Sequence, residues 1–459
     1  MKRLSFIFSL LVTFQLSAQN YYSKQEVLQD LNYLKKSLIE THYDIYAYTT
    51  KLAFDENFEK VKASIKADSL TDLAATSLFQ AIISKVNNGH TEIPFPGKLY
   101  GEYAYSGGTL FPLEFAFENY KPLVRKNWST EKEIKVGSEI ISINQQPIAH
   151  VLEKIYPLIS AERRYFKHAK IELYSFPRLY WQAFGQLDKF TVKIKEGDEI
   201  KTFSIKAVDV IDGYEMKRND ISTPNMVLKY HGQSAYLKPG NFGGDLDNYK
   251  NFIDSSFAVI NQAKTKNLII DLRNNLGGGN DFSDYLISFI ADKPFHWNAE
   301  FSLKTSQILK EHVRATYDTT ESFWKSVLVH KDGDIYPYEF EAHQPQVEEK
   351  RFKGKVYILV NRQSHSQAAV SAAQIQDYGF ATIVGEETAE FPSLYASQYQ
   401  YNLPKTGIAV KVSKGYIVRV NGSKKVEGVI PDMYIKDYLL DEDDEIMEGI
   451  LNHIHKTQN

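Results

Sequence analysis

Two short runs with almost no polar residue constrain this chain most. Residues 267–272 read Asn-Leu-Ile-Ile-Asp-Leu and residues 355–361 read Lys-Val-Tyr-Ile-Leu-Val-Asn. A strand without alternating polarity is wetted on neither face, so it belongs inside a sheet covered on both sides, and such sheets are largely parallel with helical crossovers. The neighbouring segments fit that scheme. A short strand is expected at 234–239, an amphipathic helix at 246–263, helices near 282–290 and at 367–377, and a further strand at 381–385. Residues 225–437 therefore read as an α/β core. The tail, 438–459, opens on Asp441-Glu442-Asp443-Asp444-Glu445 and continues with Ile446, Ile450, Leu451 and Ile454, a helix with an acidic N-terminus. Residues 295–350 show no period and read as an insertion.

Two other kinds of sequence precede this core. In 19–95, Val27, Leu28, Leu31, Leu34 and Leu38 fall at helical spacing, as do Leu73, Leu78, Ile82, Ile83 and Val86, which predicts an N-terminal helical domain. The second pattern should stop at Asn87-Asn88-Gly89, residues tolerant of left-handed backbone, before a short extended segment from His90 to Ile93. In 105–210 the pattern turns to strands, with alternation at 111–117 and 122–124, then Ile134 to Asn144 and a helix over about 148–156 ended by Pro157.

At the start, Met1-Lys2-Arg3 precedes an apolar stretch too short to span a bilayer, and Leu16-Ser17-Ala18 supplies small residues for cleavage. The expectation is a signal peptide over 1–18, cleaved after about Ala18, and a periplasmic or extracellular protein without stable membrane insertion. The chain of 459 residues has no cysteine, which removes disulfides, thiol nucleophiles and thiolate zinc sites. Its 54 Lys+Arg against 57 Asp+Glu leave no basic excess for a nucleic-acid partner. No His-Glu-x-x-His pattern occurs, and His453 and His455 lie in a polar tail, so neither a metal nor another cofactor is expected.

Three places can carry chemistry. In Asp271-Leu272-Arg273-Asn274-Asn275-Leu276-Gly277-Gly278-Gly279 a buried strand runs into glycines whose backbone can approach a ligand closely; the spacing matches neither a dinucleotide fingerprint nor a phosphate loop. In Asn361-Arg362-Gln363-Ser364-His365-Ser366-Gln367 a strand ends in a serine-rich bend that enters a helix. Ser366 either caps that helix or is a nucleophile exposed at the sheet's carboxyl edge, with the Gln367 N–H aimed at an oxyanion. His90 and Glu427 stand alone in sequence, and by themselves read as a packed histidine and a solvated loop acid.

Taken in order along the chain, these features resemble the C-terminal processing (tail-specific) peptidases, within the wider group that includes the tricorn protease core. The resemblance covers most of 25–437. It rests on N-N-G-H-T at 87–91, where the family has D-G-H-T, and on a PDZ-like I-x-x-G-x-x-I-x-x-I-N from Ile134 to Asn144. It continues in L-I-I-D-L-R-N-N-x-G-G, S-H-S-Q-A-A, G-E-E-T at 385–388 and E-G-V-I-P-D at 427–432. The resemblance implies an N-terminal helical domain (19–95), a PDZ-like β-rich domain (105–210) and a ClpP/crotonase-like α/β peptidase core (225–437).

Carried over by motif, Ser366 is the nucleophile, and Gln367 with either Gly277 or Gly278 forms the oxyanion hole. One branch of the family uses a lysine beyond the serine as base; Phe391 stands about there, so no Ser-Lys dyad is expected. The tricorn-like branch uses a histidine and a glutamate, which implies His90 as base and Glu427 as its orienting acid. His365 is the competing imidazole. The implied function is an exported serine endopeptidase acting on extended or unfolded polypeptide through an acyl-enzyme. The alternatives are a non-catalytic relative that binds peptides or apolar ligands, and a hydrolase of non-peptide substrates on the same scaffold.

Overall fold

The computed structural model describes residues 20–222 and 224–458; the expected leader at 1–18 lies outside them. Its centre is a six-stranded sheet in the order Val227–His231, Ser234–Lys238, Asn267–Asp271, Lys355–Val360, Thr382–Gly385 and Met433–Tyr434. The first pair is antiparallel and every other pair is parallel. The two apolar runs are adjacent, with Ile269 opposite Tyr357 and Ile270 opposite Ile358.

Both faces of this sheet are covered, which explains the missing polar alternation. Leu268, Ile270, Ile358 and Val360 pack on one face beneath helices Leu246–Gln262, Asn280–Ser288 and Gln367–Tyr378. Ile269, Tyr357 and Leu359 pack on the other against Ile446, Ile450 and Ile454 of the C-terminal helix Glu445–Gln458. Period two in the strand meets a period near 3.6 in the helices, and each buried Ile or Leu contributes about 1.5–3 kcal/mol. Arg273 fastens the arrangement: its Nη2 donates to Asp271 Oδ2 (2.8 Å) and to Asp444 Oδ2 (2.9 Å), just before the acidic start of that last helix.

The stretch without period at 295–350 is ordered. It supplies strands Glu300–Lys304 and Ile335–Pro337 and helices Gln307–Thr316 and Ser322–Val329. The strands join Ala409–Val418 and Leu394–Asn402 in a four-stranded antiparallel sheet. That sheet shares one core with the N-terminal helices Lys24–Thr41, Lys51–Ser64 and Asp72–Ile83: Leu31, Leu34, Phe54 and Phe79 pack with Leu303, Leu309, Val410 and Val412. Helices with a single apolar stripe cannot close a core among themselves, so residues 19–95 and the supposed insertion complete each other.

The β-rich region has strand order Leu113–Glu118, Lys121–Asn127, Glu139–Ile143, Lys189–Glu196, Glu199–Lys206, with helix Ile148–Ile155 beside it. Between Ile155 and Lys189 stand two helices that the sequence pattern did not reveal, Arg164–Tyr174 and Phe176–Phe184. The first buries His168, Lys170 and Glu172 on its inner side, and these polar residues erase the apolar period by which a buried helix is read.

Candidate active site

The two central strands end side by side at the carboxyl edge of the sheet, and the turns that follow them interlock. His365 N–H donates to Asn275 O (2.9 Å), Ser364 Oγ donates to Leu272 O (2.8 Å), and Asn361 Nδ2 donates to Asn274 Oδ1 (3.0 Å). Gly277 lies so close beneath the serine bend that a Cβ there would sit 2.6 Å from Ser366 Cβ and 2.7 Å from Gln367 N. At Gly278 a Cβ would fall 1.7 Å from Phe242 O. With φ of 83° and 138°, both positions also lie in the region that favours glycine. The Gly277 N–H donates to Asn275 Oδ1 (2.8 Å), and the Gly279 N–H donates to Phe242 O (2.7 Å).

Ser366 adopts φ 51° and ψ −124°, immediately before helix Gln367–Tyr378, and its side chain does not cap that helix. A non-glycine residue held there costs on the order of 1–3 kcal/mol and needs support from its surroundings. The same strained strand-to-helix turn lifts a serine hydroxyl out of a sheet edge elsewhere, with the next N–H left free of intrahelical bonding. His365 also lines the cavity that Ser366 faces, but it is buried. Its ring packs edge-on to Phe166 (4.8 Å between centroids) and its Nε2 lies 3.2 Å from Arg362 O; burial depresses its pKa to about 4.

His90 reaches the same place from the end of the N-terminal helices. The turn that presents it is pinned: Asn87 takes the left-handed conformation (φ 54°), Asn88 Oδ1 accepts from Thr91 Oγ1 (2.8 Å) and Ser413 Oγ (2.7 Å), and Gly89 N–H donates to Glu162 Oε1 (2.8 Å). The imidazole is held on both edges. Nε2 lies 3.0 Å from Glu390 Oε1, and Nδ1 faces Gln398 Nε2 at 3.1 Å. The other oxygen of Glu390, Oε2, accepts the Ser366 N–H. One buried carboxylate thus bridges the serine backbone and the histidine.

The electrostatics follow from that bridge. Burial disfavours a charged His90, but the charge and hydrogen bond of Glu390 outweigh it and hold the imidazole pKa above its ordinary value. Burial likewise disfavours a charged Glu390, and His90 outweighs it, so this carboxyl stays ionised well below the usual range. Glu162 behaves oppositely: burial, then the neighbouring charge of Glu390, push its pKa up. Lys170 Nζ closes this corner by donating to Gly89 O (2.9 Å) and Ser160 O (2.9 Å).

Glu427, the acid expected behind His90, is not there. Its side chain is 45% exposed and lies 3.6 Å from Lys425 Nζ. What the 427–432 motif contributes is backbone: the Gly428 N–H donates to Glu387 Oε1 (2.9 Å) and the Val429 N–H to Thr388 Oγ1 (2.9 Å). Those contacts shape the loop that carries Glu390. Arg163 holds the same loop by donating to Ala389 O (3.0 Å) and Thr388 O (2.7 Å). Phe391 is buried with the Arg163 guanidinium over its ring (4.9 Å), so no lysine stands at that place. Glu390, Glu162, Lys170 and Arg163 escaped the sequence reading. The one available signal was an acid at 390 set between residues as apolar as Ala389 and Phe391.

Ser366, His90, Gln367, Gly278 and Glu390 line one cavity of about 1070 Å³. Among the described residues no group of three or more His, Asp or Glu side chains could hold a metal ion.

Residues 233–435 match the family model of Peptidase family S41, which takes in every strand of the central sheet except Val227–His231 together with both turns of the site. No curated protein sequence matches the chain. Among solved structures, mature CPAF complexed with lactacystin superposes with a TM-score of 0.64 at 15% identity, over 95% of this chain and 97% of that one. Mature CPAF alone gives 0.61 at 15% identity, over 95% and 96%. The photosystem II D1 C-terminal processing protease gives 0.43 at 15% identity, over 93% and 96%. At such identities the likeness is one of fold. Residues 233–435 are therefore a Peptidase family S41 domain, the serine-peptidase unit of this chain.

Proposed function

We propose that this chain is an exported endopeptidase that cuts extended or unfolded polypeptide through an acyl-enzyme, with Ser366 as nucleophile, His90 as base and Glu390, in place of Glu427, as the acid that orients His90. The observation that carries this reading is the convergence of the three on one cavity, with Glu390 touching both the Ser366 backbone and the His90 ring. Substrate entering the cavity displaces one of the two present partners of His90, and the imidazole then takes the Oγ proton as Oγ bonds to the scissile carbonyl carbon. Glu390 compensates the imidazolium that results.

The carbonyl oxygen becomes an oxyanion beside the Gln367 N–H, the first of its helix. Gly278 supplies the second donor, because the Gly277 N–H is already given to Asn275. His90 returns its proton to the leaving amine as the C–N bond breaks. Water then attacks the ester with His90 as base, and the proton passes back to Oγ. Export by the leader, cleaved after about Ala18, accords with a chain in which no described helix is long and apolar enough to cross a membrane.

The test is mass spectrometry of an unfolded-protein digest by residues 19–459 and by the Ser366→Ala variant. New termini made only by the unmodified chain are expected. Identical digests would overturn the peptidase reading.

A further inference from the structure

The cavity extends well beyond the serine. Its lining there includes an aromatic arm of Trp297, Phe301, Tyr317, Phe323, Trp324 and Phe340, and the buried Lys414 enters from strand Ala409–Val418. Lys414 is 3% exposed, and its Nζ donates to Ser397 O (2.7 Å) and Ser397 Oγ (2.9 Å) and lies 5.5 Å from the Trp324 ring centroid. An ammonium carries three N–H donors, so one remains. Among the described residues no carboxylate pairs with Lys414, whereas Lys170, the other lysine lining the cavity, lies 3.4 Å from Glu92. A buried lysine facing a cavity without a counter-ion gives up its charge readily, and an anion that arrives from outside favours the charged form again.

We infer that Lys414 is the specificity residue of the substrate cleft. It receives a carboxylate of the bound polypeptide while the aromatic arm takes the large apolar residue beside that carboxylate. This rests on the peptidase reading for its substrate class.

The backbone places the two functions next to each other. The ladder between the two strands pairs Ala396 with Gly415 and Gln398 with Ser413, leaving Ser397 and Lys414 as an irregularity, with Ser397 at φ 55°. Ser397 therefore faces Lys414, and the next residue, Gln398, faces His90. Ser397, Gln398 and Lys414 line the same cavity as Ser366 and His90, so the carboxylate and the bond that is cut share one cleft. The titratable group that faces Lys414 from the neighbouring helix is His312, whose pKa is lowered by burial and then by the Lys414 charge. Burial alone brings Lys414 down to about 7, and a bound carboxylate would restore it. Binding at pH 8 then takes up a proton. Carboxylate from a chain terminus and carboxylate from an Asp or Glu side chain meet the same ammonium.

Calorimetry on residues 19–459 carrying Ser366→Ala separates these sources and keeps binding apart from cleavage. The probes are an acetylated hexapeptide ending in Phe, as free acid and as amide, and two amidated versions with Glu or Gln beside the Phe. One acid is expected to bind about tenfold or more tighter than its neutral counterpart, the size of a charge-assisted hydrogen bond. Its binding heat should depend on the buffer at pH 8. Added Lys414→Met should erase the preference and the proton uptake, and Lys414→Arg should keep part of the preference. Equal binding of acid and neutral peptides in both pairs overturns the inference, as does a preference that survives Lys414→Met. Should Lys414→Met fail to fold, the two peptide pairs and the buffer dependence in the Ser366→Ala chain decide. A preference in a chain that cleaves nothing would retain the carboxylate site and remove the peptidase reading; cleavage without a preference would do the reverse.

Discussion

A carboxylate wedged between a serine backbone and an imidazole does two jobs that separate mutants can tell apart. Glu390 fixes the His90 ring and holds its pKa up. His90 serves as base only when neutral, so kcat/KM should fall as pH drops through a pKa above 6.5, the ordinary histidine value. In Glu390→Gln the largest raising influence is gone, with only the smaller one of Glu162 left against burial, so that limb should move to lower pH. The plateau rate should fall by about 10²–10⁴, the cost of losing an oriented base. Glu427→Gln should leave both unchanged. A pH–rate profile of the three proteins checks this, and an unshifted limb in Glu390→Gln would show that Glu390 does not govern the imidazole.

The proposed serine and histidine were legible as candidates because each sits in a short motif that its own backbone needs, a left-handed turn before His90 and a small-residue helix start after Ser366. The acid was not legible. In this chain the Glu-Gly-Val-Ile-Pro-Asp motif contributes its backbone N–H groups, while Glu390, the carboxylate proposed to orient His90, comes from a loop whose path depends on Thr388 and Arg163.

At the level of elements, strands were easy to read and helices less so. A buried parallel strand announces itself by having no charged residue to place, as 356–360 shows. Helix Arg164–Tyr174 hides because its inner face holds Lys170, whose head is satisfied by the carbonyls of Gly89 and Ser160, and Glu172, which pairs with Arg362 (2.9 Å). Such a helix is readable only once its partners are in place. The turns carry their own predictions. Gly277→Ala forces a methyl against Ser366 Cβ at a φ of 83°, so it should lower kcat by about 10² or more while costing on the order of 1–3 kcal/mol in stability. Arg163→Ala frees the Glu390 loop without touching the reacting atoms; it should reduce kcat with little change in KM, and raise amide exchange across 387–391. Exchange unchanged with activity lost would mean that Arg163 acts on substrate directly.

Across the whole molecule, the residues proposed for catalysis come from segments that share cores. His90 ends the N-terminal helices, yet the turn that carries it is bonded to Ser413 and bridged through Glu92 to Lys411, both on the antiparallel sheet. The same sheet holds Gln398 against the imidazole and packs Val410 and Val412 against Leu31 and Leu34. Reading 19–95 as a separate unit followed from its helical pattern, and that pattern says nothing about which surface the apolar stripe will meet. Since the stripe meets the 394–418 hairpin, the helices should be required for the sheet to fold. A chain beginning at residue 96 is expected to expose that apolar face, bind a hydrophobic dye and lose its cooperative melt. Leu34→Ala, a fully buried position, tests the same coupling within an intact chain. The cavity should cost about 2–5 kcal/mol. Because the loss falls on the contact between helix and hairpin, amide protection should drop along 409–418 before it drops along 267–271 of the central sheet. Equal loss in both sheets would mean the molecule unfolds as one unit, and protection kept at 409–418 would mean the hairpin stands without the helices.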